Sequence, residues 1–259
     1  MAVRPVRALE RQGLLSLWET VFCDGAGFVN SFLDGTGVEI GGFAAVENGV
    51  TAAAAYTVGG ISVGGVPYPY IYAVSTLPEF RGHGLGAEVS EACAAEAESR
   101  GGVPALHPAE PSLFAWYAKQ GFSPAFTARE AEIAPSVSSA ALRELSPEEY
   151  AAERRRALEG CVFAEFAPAL LAWWRDAFGG RFVGFDGGCA AFVPSDGRVF
   201  IPEFIASERA AGAACAISRG QSALIRSPAV RGFAGFGDER DFIAARGGVS
   251  GGYWGLVFD

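Results

Sequence analysis

Cysteine and histidine are scarce in this chain. Its 259 residues include five cysteines and two histidines, His83 and His107. The cysteines are widely separated and none forms a Cys-x-x-Cys pair, whereas a zinc site needs clustered thiolates or imidazoles. The sequence therefore predicts no metal site. Scattered cysteines of this kind usually serve as small buried apolar side chains in proteins of a reducing compartment.

Long apolar runs are also missing, although 50% of the residues are hydrophobic. No stretch reaches the roughly 18–20 apolar residues of a membrane span, and the N-terminal sequence MAVRPVRALERQG has no signal-peptide core. We therefore expect a cytoplasmic protein with no membrane partner. The length and the apolar content predict one large folded domain or two modest ones.

Basic residues are outnumbered by acidic ones. The chain has 20 Lys and Arg against 29 Asp and Glu, which gives a net charge of −9. A nucleic-acid-binding surface is basic because it contacts phosphates, so we expect no nucleic-acid partner. A negative field instead concentrates cations, which is permissive for amine substrates.

Apolar periodicity divides the chain into two halves that each alternate helices and strands. In the first half, residues 14–32 have helical spacing, and the Asn-Gly pair at 48–49 predicts a β-hairpin. The uncharged segment 135–140 reads as a linker. After it, Ser146 and Glu149 form a capping-box pattern that predicts the start of a helix. The two halves share one element order.

The segment that carries chemical information is YIYAVSTLPEFRGHGLGAEVSEACAAEA, residues 70–97. It reads as a strand, a glycine-rich turn and a helix. A helix N-terminus has free backbone N–H groups and a positive dipole end, and glycines let the backbone curve around an anion. Arg81 adds a charged donor. The turn therefore predicts a cradle for a phosphate or diphosphate.

Three kinds of phosphate cradle compete for this turn. A P-loop requires Lys-Ser or Lys-Thr after its last glycine, where this chain has Ala87-Glu88. A Rossmann fingerprint is spaced G-x-G-x-x-G and opens the first strand–helix unit. The third pattern, R-x-x-G-x-G after a strand ending in L-P-E-F, resembles motif A of the GCN5-related N-acetyltransferases (GNAT). Residues 110–122, EPSLFAWYAKQGF, are similar to the last helix of that family.

The resemblance implies an α/β (α+β) fold made of two GNAT-like lobes, each a mixed, mostly antiparallel sheet flanked by helices. We expect an N-terminal acetyltransferase domain at 1–134, a linker at 135–142 and a degenerate C-terminal domain at 143–259. The second half has no R-x-x-G-x-G where the repeat would place it, after RVFIPEFIA. The chain looks like a shortened relative of the two-lobed enhanced intracellular survival proteins.

The resemblance also implies a site for acetyl-CoA. Backbone groups of Val74 and Thr76 would hold the pantetheine arm, and a splay between their strand and the strand VPALH would admit it. Tyr117 would protonate the leaving thiolate. Glu110 stands where the family often has Asn, and a carboxylate only accepts hydrogen bonds, so this cofactor contact stays open. Six consecutive residues would wrap the diphosphate: Arg81, Gly82, His83, Gly84, Leu85 and Gly86.

Some of these residues also have a purely structural interpretation. Tyr117 shares a helix face with Phe114, which is typical of packing. His83 reads as a loop residue, and His107 as either a capping residue or a wall of the site. Three tyrosines alternate along one face of a strand: Tyr68, Tyr70 and Tyr72. The first interpretation is that they pack in the core, and the second is that they form a wall of the substrate site.

The expected reaction is direct transfer of acetyl from acetyl-CoA to an amine. The preferred expectation for the acceptor is a small-molecule amine, and the alternative is a protein N-terminus or lysine. An amine must lose a proton before it attacks, and Glu39, Glu79 and Glu110 are unranked candidates for the base. The alternative from another class is a non-catalytic acyl-CoA-binding sensor or interaction module.

The C-terminal sequence YWGLVFD is apolar up to its last residue, whereas chain ends are usually polar and frayed. It predicts a tail that docks as a strand. In one hypothesis the tail lies between the lobes, and Asp259 accepts a proton from the incoming ammonium. In the other, the tail closes the second lobe far from the chemistry.

Overall fold

The computed structural model describes residues 2–7, 10–195 and 197–258. The chain divides into two compact units, Met1–Ser123 with Ala245–Gly248, and Pro124–Ala244 with Val249–Asp259. This division differs from the limits 1–134 and 143–259 because the strand that begins at Ser123 pairs with a strand of the second unit. The limits read from the sequence stay a prediction about the two copies of the repeat.

The first unit contains four helices and seven strands in its described part. In chain order they are β1 (Ala2–Pro5), α1 (Arg11–Phe22), α2 (Gly25–Asp34), β2 (Ile40–Glu47), β3 (Val50–Val58), β4 (Ile61–Val63), β5 (Val66–Pro67), β6 (Tyr70–Thr76), α3 (Leu85–Ser99), β7 (Ala105–Leu106) and α4 (Leu113–Ala118). The sheet order is β1-β2-β3-β6-β7. The pairs are antiparallel except β6 with β7, which is parallel.

Small and aromatic side chains form the core of the first unit. Residues 52–55 of β3 are four alanines that are fully buried, which allows helices to approach the sheet closely. Trp18 of α1 lies 5.2 Å from Phe32 and 5.3 Å from Tyr56, measured between ring centroids. Tyr72 packs on the same tryptophan at 5.7 Å. Tyr68 and Tyr70 are buried as well, so the core interpretation of the three tyrosines holds for these two.

In its described part, the second unit follows a similar order with three helices instead of four. Its elements are β8 (Ser123–Ile133), β9 (Arg143–Glu144), α5 (Pro147–Ala157), β10 (Ala164–Phe166), α6 (Pro168–Phe178), β11 (Arg181–Phe185), β12 (Gly188–Ser195), β13 (Arg198–Ala206), α7 (Ala213–Ser218), β14 (Ser222–Pro228) and β15 (Asp238–Ala245). The sheet order is β15-β8-β14-β13-β12-β11-β9, and β13 with β14 is a parallel pair.

The expected fold class is confirmed, because each unit is a mixed, mostly antiparallel sheet flanked by helices. The capping box is confirmed as well: Glu149 N–H donates to Ser146 Oγ at 3.2 Å, and Ser146 N–H donates to Glu149 Oε2 at 2.8 Å. The alanine-rich segment after β13 forms a helix that includes Ala216. The structure has a 3₁₀ turn at Glu208–Ala210 and then the six-residue helix α7.

The C-terminal tail is buried in the second unit but is not a strand. Trp254 lies 5.4 Å from Phe126, and Phe258 lies 5.7 Å from Trp173, between ring centroids. Only Tyr253 makes a β-bridge, to Phe163, in the described part of the tail. Extended pairing is prevented because Gly255 has φ +99°. Asp259, the candidate proton acceptor, lies outside the described residues.

In the described ranges, no helix combines the length and the apolar character that a membrane crossing requires.

Candidate functional site

Strand β6 contains an irregularity that the sequence did not reveal. Its register with β3 shifts between the pairs Tyr56 with Tyr72 and Ala54 with Ser75, so two residues of β6 face one residue of β3. Ala73 lies inside this bulge with φ +51°. A non-glycine residue with positive φ is held there by its surroundings at a cost of about 1–3 kcal/mol, and such residues cluster at functional sites. The bulge turns backbone groups of residues 73 and 74 out of the ladder.

The pairing of β6 with β7 is confined to the start of β6, and the splay predicted between these strands stays a prediction. Their registered pairing consists of Tyr70 opposite Ala105. The Ala105 N–H also donates to Pro69 O at 3.1 Å, so the two strands meet where β6 begins. β7 ends one residue later while β6 continues to Thr76. Among the described residues, β7 therefore provides no registered partner for Val74 or Thr76.

The glycine-rich turn lies between β6 and α3. After Leu77, the 3₁₀ turn Pro78–Phe80 begins with a proline, whose fixed φ suits that position. Gly82 and Gly84 have φ +80° and +83°, and a Cβ on either would face open space. Gly84 is the N-cap of α3, and its carbonyl accepts from Ala87 N–H at 3.0 Å. This backbone leaves the first N–H groups of a fifteen-residue helix free to bind an anion.

Other members of the predicted cradle lie around this helix start. Arg81 is exposed, and its Nε donates to Thr76 O at 3.2 Å, which holds the guanidinium beside the turn. His83 Nδ1 lies 3.3 Å from Phe80 O, as expected of a loop residue. Leu85 is buried and anchors the helix. A Cβ on Gly86 would lie 3.2 Å from Thr76 Oγ1 and 3.9 Å from Trp116, so the end of β6, the start of α3 and α4 meet at this point.

Tyr117 lies on the short helix α4. Its side chain is 7% exposed, and its ring lies 4.6 Å from Trp116 and 5.9 Å from Phe122, both edge-to-face. Burial raises the pKa of Tyr117 to about 12. The phenol is therefore neutral at physiological pH and has a proton to donate. The packing interpretation and the acid interpretation are both compatible with this position.

The three carboxylates considered as bases lie in different places. Glu39 pairs with Arg100, the C-cap of α3. The fifteen residues of α3 place this C-terminal end roughly 22 Å from the cradle at the N-terminal end. Glu39 is thus not brought to the site. Glu79 lies exposed in the 3₁₀ turn before the cradle. Glu110 lies in the exposed turn before α4, where its carboxylate accepts from Ser112 Oγ at 3.3 Å.

His107 directly follows β7 and is half-buried.

The equivalent turn of the second unit has a different backbone. It follows β13 and runs through the 3₁₀ turn Glu208–Ala210 to α7. Ala211 and Gly212 have φ −51° and −62°, both right-handed helical values, where the first unit has two glycines with positive φ. Helix α7 has six residues. This turn therefore lacks the curved backbone of an anion cradle.

The sequence reasoning missed Ala73, Trp116 and the pair Ser90 and Gln120. Ala73 carries no sequence signal, because alanine has no preference for the left-handed region. Trp116 and Gln120 stood in the segment that resembles the last GNAT helix, but the sequence did not show what they touch. Ser90 Oγ is 2.9 Å from Gly86 O and 2.5 Å from Gln120 Oε1.

Across the described residues, no group of three or more His, Cys, Asp and Glu side chains is placed to hold a metal ion.

Residues 17–122 match the sequence model of the acetyltransferase (GNAT) family. A search of curated protein sequences gave no significant match. Among solved structures, the chain is similar to a conserved protein of Enterococcus faecalis V583 described as a probable N-acyltransferase. The identity is 12% and the TM-score is 0.67, with 94% of this chain and 72% of that chain covered.

Two further structures share the fold over the same extent. A GCN5-related N-acetyltransferase from Kribbella flavida is 18% identical, with a TM-score of 0.67 and coverage of 94% of this chain and 70% of that chain. A tandem GNAT protein from the clavulanic acid biosynthesis pathway is 11% identical, with a TM-score of 0.59 and coverage of 94% and 97%. At these identities the likeness concerns the fold.

Proposed function

We propose that the protein transfers an acetyl group from acetyl-CoA directly to an amine, because residues 17–122 match the sequence model of the acetyltransferase (GNAT) family. One observation carries the proposal. The part of β6 beyond its registered pairing with β7, with its bulge at Ala73, runs directly into the positive-φ glycine turn at the start of α3. An extended thioester arm and a diphosphate need these two features next to each other.

The diphosphate would bind at the turn of residues 81–86. Free N–H groups at the start of α3 and the helix dipole favour negative charge there. Gly82 and Gly84 keep side chains away from the approaching phosphate oxygens. Arg81 supplies the charged donor, and His83 and Leu85 contribute through their backbone.

The pantetheine arm would extend β6 as a further strand-like segment. Val74 offers its backbone N–H and C=O groups beyond the end of β7, and Thr76 offers its N–H, since Thr76 O already accepts from Arg81 Nε. Extended amide-containing ligands pair with such groups as a strand does. Glu110 can accept a hydrogen bond from the cofactor but, as a carboxylate, cannot donate one.

The chemistry would take place beside the bulge. The amine nitrogen attacks the thioester carbonyl carbon, the C–N bond forms, the C–S bond breaks, and the thiolate leaves. A backbone N–H released by the bulge at Ala73 would stabilise the negative charge that develops on the carbonyl oxygen. Tyr117 donates its phenolic proton to the thiolate sulfur. The proton lost by the amine passes to water or a carboxylate, for which Glu79 and Glu110 remain candidates.

The acceptor is proposed as a small-molecule amine, which the net charge of −9 favours through attraction of cations. A protein amine is the second acceptor class. A non-catalytic acyl-CoA sensor is the alternative function, since the cradle alone suffices for binding. Thiol release from acetyl-CoA in the presence of an amine panel separates these functions. An enzyme releases CoA only when an acceptable amine is present, whereas a sensor binds acetyl-CoA and releases none.

Each chain is expected to bind one acetyl-CoA. The first unit has the positive-φ glycine turn, and the equivalent turn of the second unit has helical φ values at Ala211 and Gly212. Isothermal titration calorimetry measures the stoichiometry directly. Two equivalent sites per chain would contradict the assignment of the second unit as a degenerate copy.

Gly84→Val is expected to weaken acetyl-CoA binding about tenfold, equivalent to the loss of one charge-assisted hydrogen bond. A β-branched residue at φ +83° is strained, and its methyl groups would occupy the space where a phosphate oxygen approaches. Gly84 is a cleaner test than Gly86, where a side chain would also displace Thr76.

Gly101→Val is the matched control for this test. Gly101 follows the other end of α3, has φ +76° and also faces open space. The substitution therefore introduces the same backbone strain far from the cradle. Calorimetry of both folded variants should show reduced affinity in Gly84→Val alone. Equal losses of acetyl-CoA affinity in the two variants would mean that the turn has only a structural role.

A further inference from the structure

Gln120 connects the two helices that carry the proposed site. Its backbone N–H donates to Tyr117 O at 2.9 Å, at the end of α4. Its carbonyl accepts from Arg246 Nη1 at 3.3 Å. Its side-chain amide meets Ser90 on the second turn of α3. One residue thus contacts the helix of Tyr117 and the helix of the cradle.

The hydrogen bonds between these helices can be assigned by counting protons. Ser90 Oγ lies 2.5 Å from Gln120 Oε1, 2.9 Å from Gly86 O and 3.2 Å from Ala87 O. One hydroxyl proton cannot serve three acceptors, while Gln120 Nε2 is buried without a partner among the described residues. A half-turn of the amide gives Ser90 Oγ a donor and leaves Oε1, in place of Nε2, at the buried position without a partner. Nε2 then donates to Ser90 Oγ, and Ser90 O–H donates to Gly86 O.

The resulting chain of hydrogen bonds ends on the cradle itself. Gly86 belongs to the R-x-x-G-x-G turn, and Ser90 is fully buried, so water does not compete for its hydroxyl. Arg246 also contacts α3, because it donates to Glu98 Oε1 and to Glu91 Oε2 of that helix, both at 2.6 Å. The contact to Gln120 O therefore ties α4 to a rigid framework.

Helix α4 needs such an attachment. It has six residues, and a helix this short does not hold itself in place. Tyr117 has to lie near the thioester sulfur while the cradle holds the diphosphate at the far end of the pantetheine arm. The separation of α4 from the start of α3 therefore decides whether the phenol reaches the sulfur.

We propose that Gln120, through Ser90, is a positioning residue that sets the distance between Tyr117 and the cradle. The proposal rests on the proposed acetyltransferase function. Gln120→Met keeps the length of the side chain and removes the donor. It is expected to lower kcat about tenfold, in keeping with the sensitivity of catalysis to small displacements, with little change in acetyl-CoA affinity. Ser90→Ala is expected to give the same loss, and the double variant no more than either single one.

The decisive measurement repeats Gln120→Met in a Tyr117→Phe background. If Gln120 acts by positioning the phenol, its loss has no further effect on kcat once the hydroxyl is gone. A tenfold loss that persists in that background overturns the proposal, because a general structural role would be additive. Lys119→Met is the matched control: it makes a similar change at the neighbouring exposed position and should leave kcat unaltered.

A second readout does not depend on turnover. Hydrogen exchange of residues 113–118 should become faster in Gln120→Met, while exchange of residues 90–99 on α3 stays as in the wild type. Unchanged exchange in α4 overturns the proposal whether or not the protein is active. A wild type that binds acetyl-CoA but releases no thiol with any amine would instead overturn the proposed function, and the exchange result would still decide the role of Gln120.

Discussion

Tyr117→Phe is expected to lower kcat about 100-fold, the lower range of general acid catalysis. The substitution removes only the hydroxyl. The ring keeps its edge-to-face contacts with Trp116 and Phe122, so α4 keeps its packing. Without the phenolic proton, the thiolate has to leave unprotonated or wait for water. Affinity for acetyl-CoA, measured by calorimetry, should stay close to that of the wild type.

The pH dependence adds a second check on this role. Burial raises the pKa of Tyr117 to about 12, above the ordinary value of a phenol. The acid form is therefore present throughout the range below pH 11, and its ionisation does not limit turnover there. Instead kcat/KM should rise with pH as the amine loses its proton, in both the wild type and Tyr117→Phe. A descending limb near neutral pH in the wild type alone would contradict this assignment of the acid.

Tyr68→Phe is the control for the loss of a buried phenol. Tyr68 is 1% exposed and lies before β6 in the same unit, outside the proposed machinery. Its variant should turn over as the wild type does. If Tyr117→Phe were equally active, Tyr117 would be a packing residue, and the thiolate would receive its proton from solvent.

Arg154→Leu is expected to lower the free energy of unfolding by about 3–5 kcal/mol, the cost of breaking a buried ion pair. Arg154 is 2% exposed and Glu203 is fully buried. Arg154 Nε donates to Glu203 Oε1 at 2.9 Å, and Nη2 donates to Trp254 O at 2.6 Å. Tyr150 O–H donates to Glu203 Oε2 at 2.5 Å. Loss of the guanidinium leaves the carboxylate without its counter-charge.

The pKa directions in this cluster agree with a charged pair. Burial lowers the pKa of Arg154 and the Glu203 carboxylate raises it, with a net rise above the ordinary value. Burial, and then the same carboxylate, raise the pKa of Tyr150 well above that of a free phenol. Arg154 and Tyr150 thus keep their protons across the physiological range.

Urea denaturation followed by tryptophan fluorescence and circular dichroism measures this loss. Arg155→Leu is the matched control on the same helix, since its side chain is 64% exposed and pairs with Glu165 at the surface. An exposed pair contributes about 1 kcal/mol or less. The double variant Arg154→Leu with Glu203→Leu should regain part of the stability, because it removes both charges. A loss as small as that of Arg155→Leu would mean that water reaches the cluster.

Several features of this protein follow from short stretches of sequence. The hairpin turn at 48–49, the capping box of Ser146 and Glu149, and the strand–turn–helix of residues 70–97 depend on neighbours within a few residues. Turn and cap preferences come from local backbone freedom and local hydrogen bonds, which the residue types themselves determine. The cradle is of this kind, because Gly82 and Gly84 adopt the positive φ for which glycine is suited.

Other features were decided by residues far apart in the chain. The positive φ of Ala73 has no local cause and exists because β3 and the surrounding core hold the bulge. Arg246 belongs with the first unit although 148 residues separate it from its partner Glu98. The pairs Arg154 with Glu203 and Ser90 with Gln120 are 49 and 30 residues apart.

The sequence by itself thus determined the alternation of helices and strands in two halves and the place of the glycine turn, because periodicity and turn chemistry act over a few residues. Tertiary structure alone decided the bulge at Ala73, the attachment of α4 through Gln120 and the buried course of the tail. These depend on which distant groups satisfy one another when water is excluded, and a buried donor or acceptor takes its partner from wherever the packing brings one.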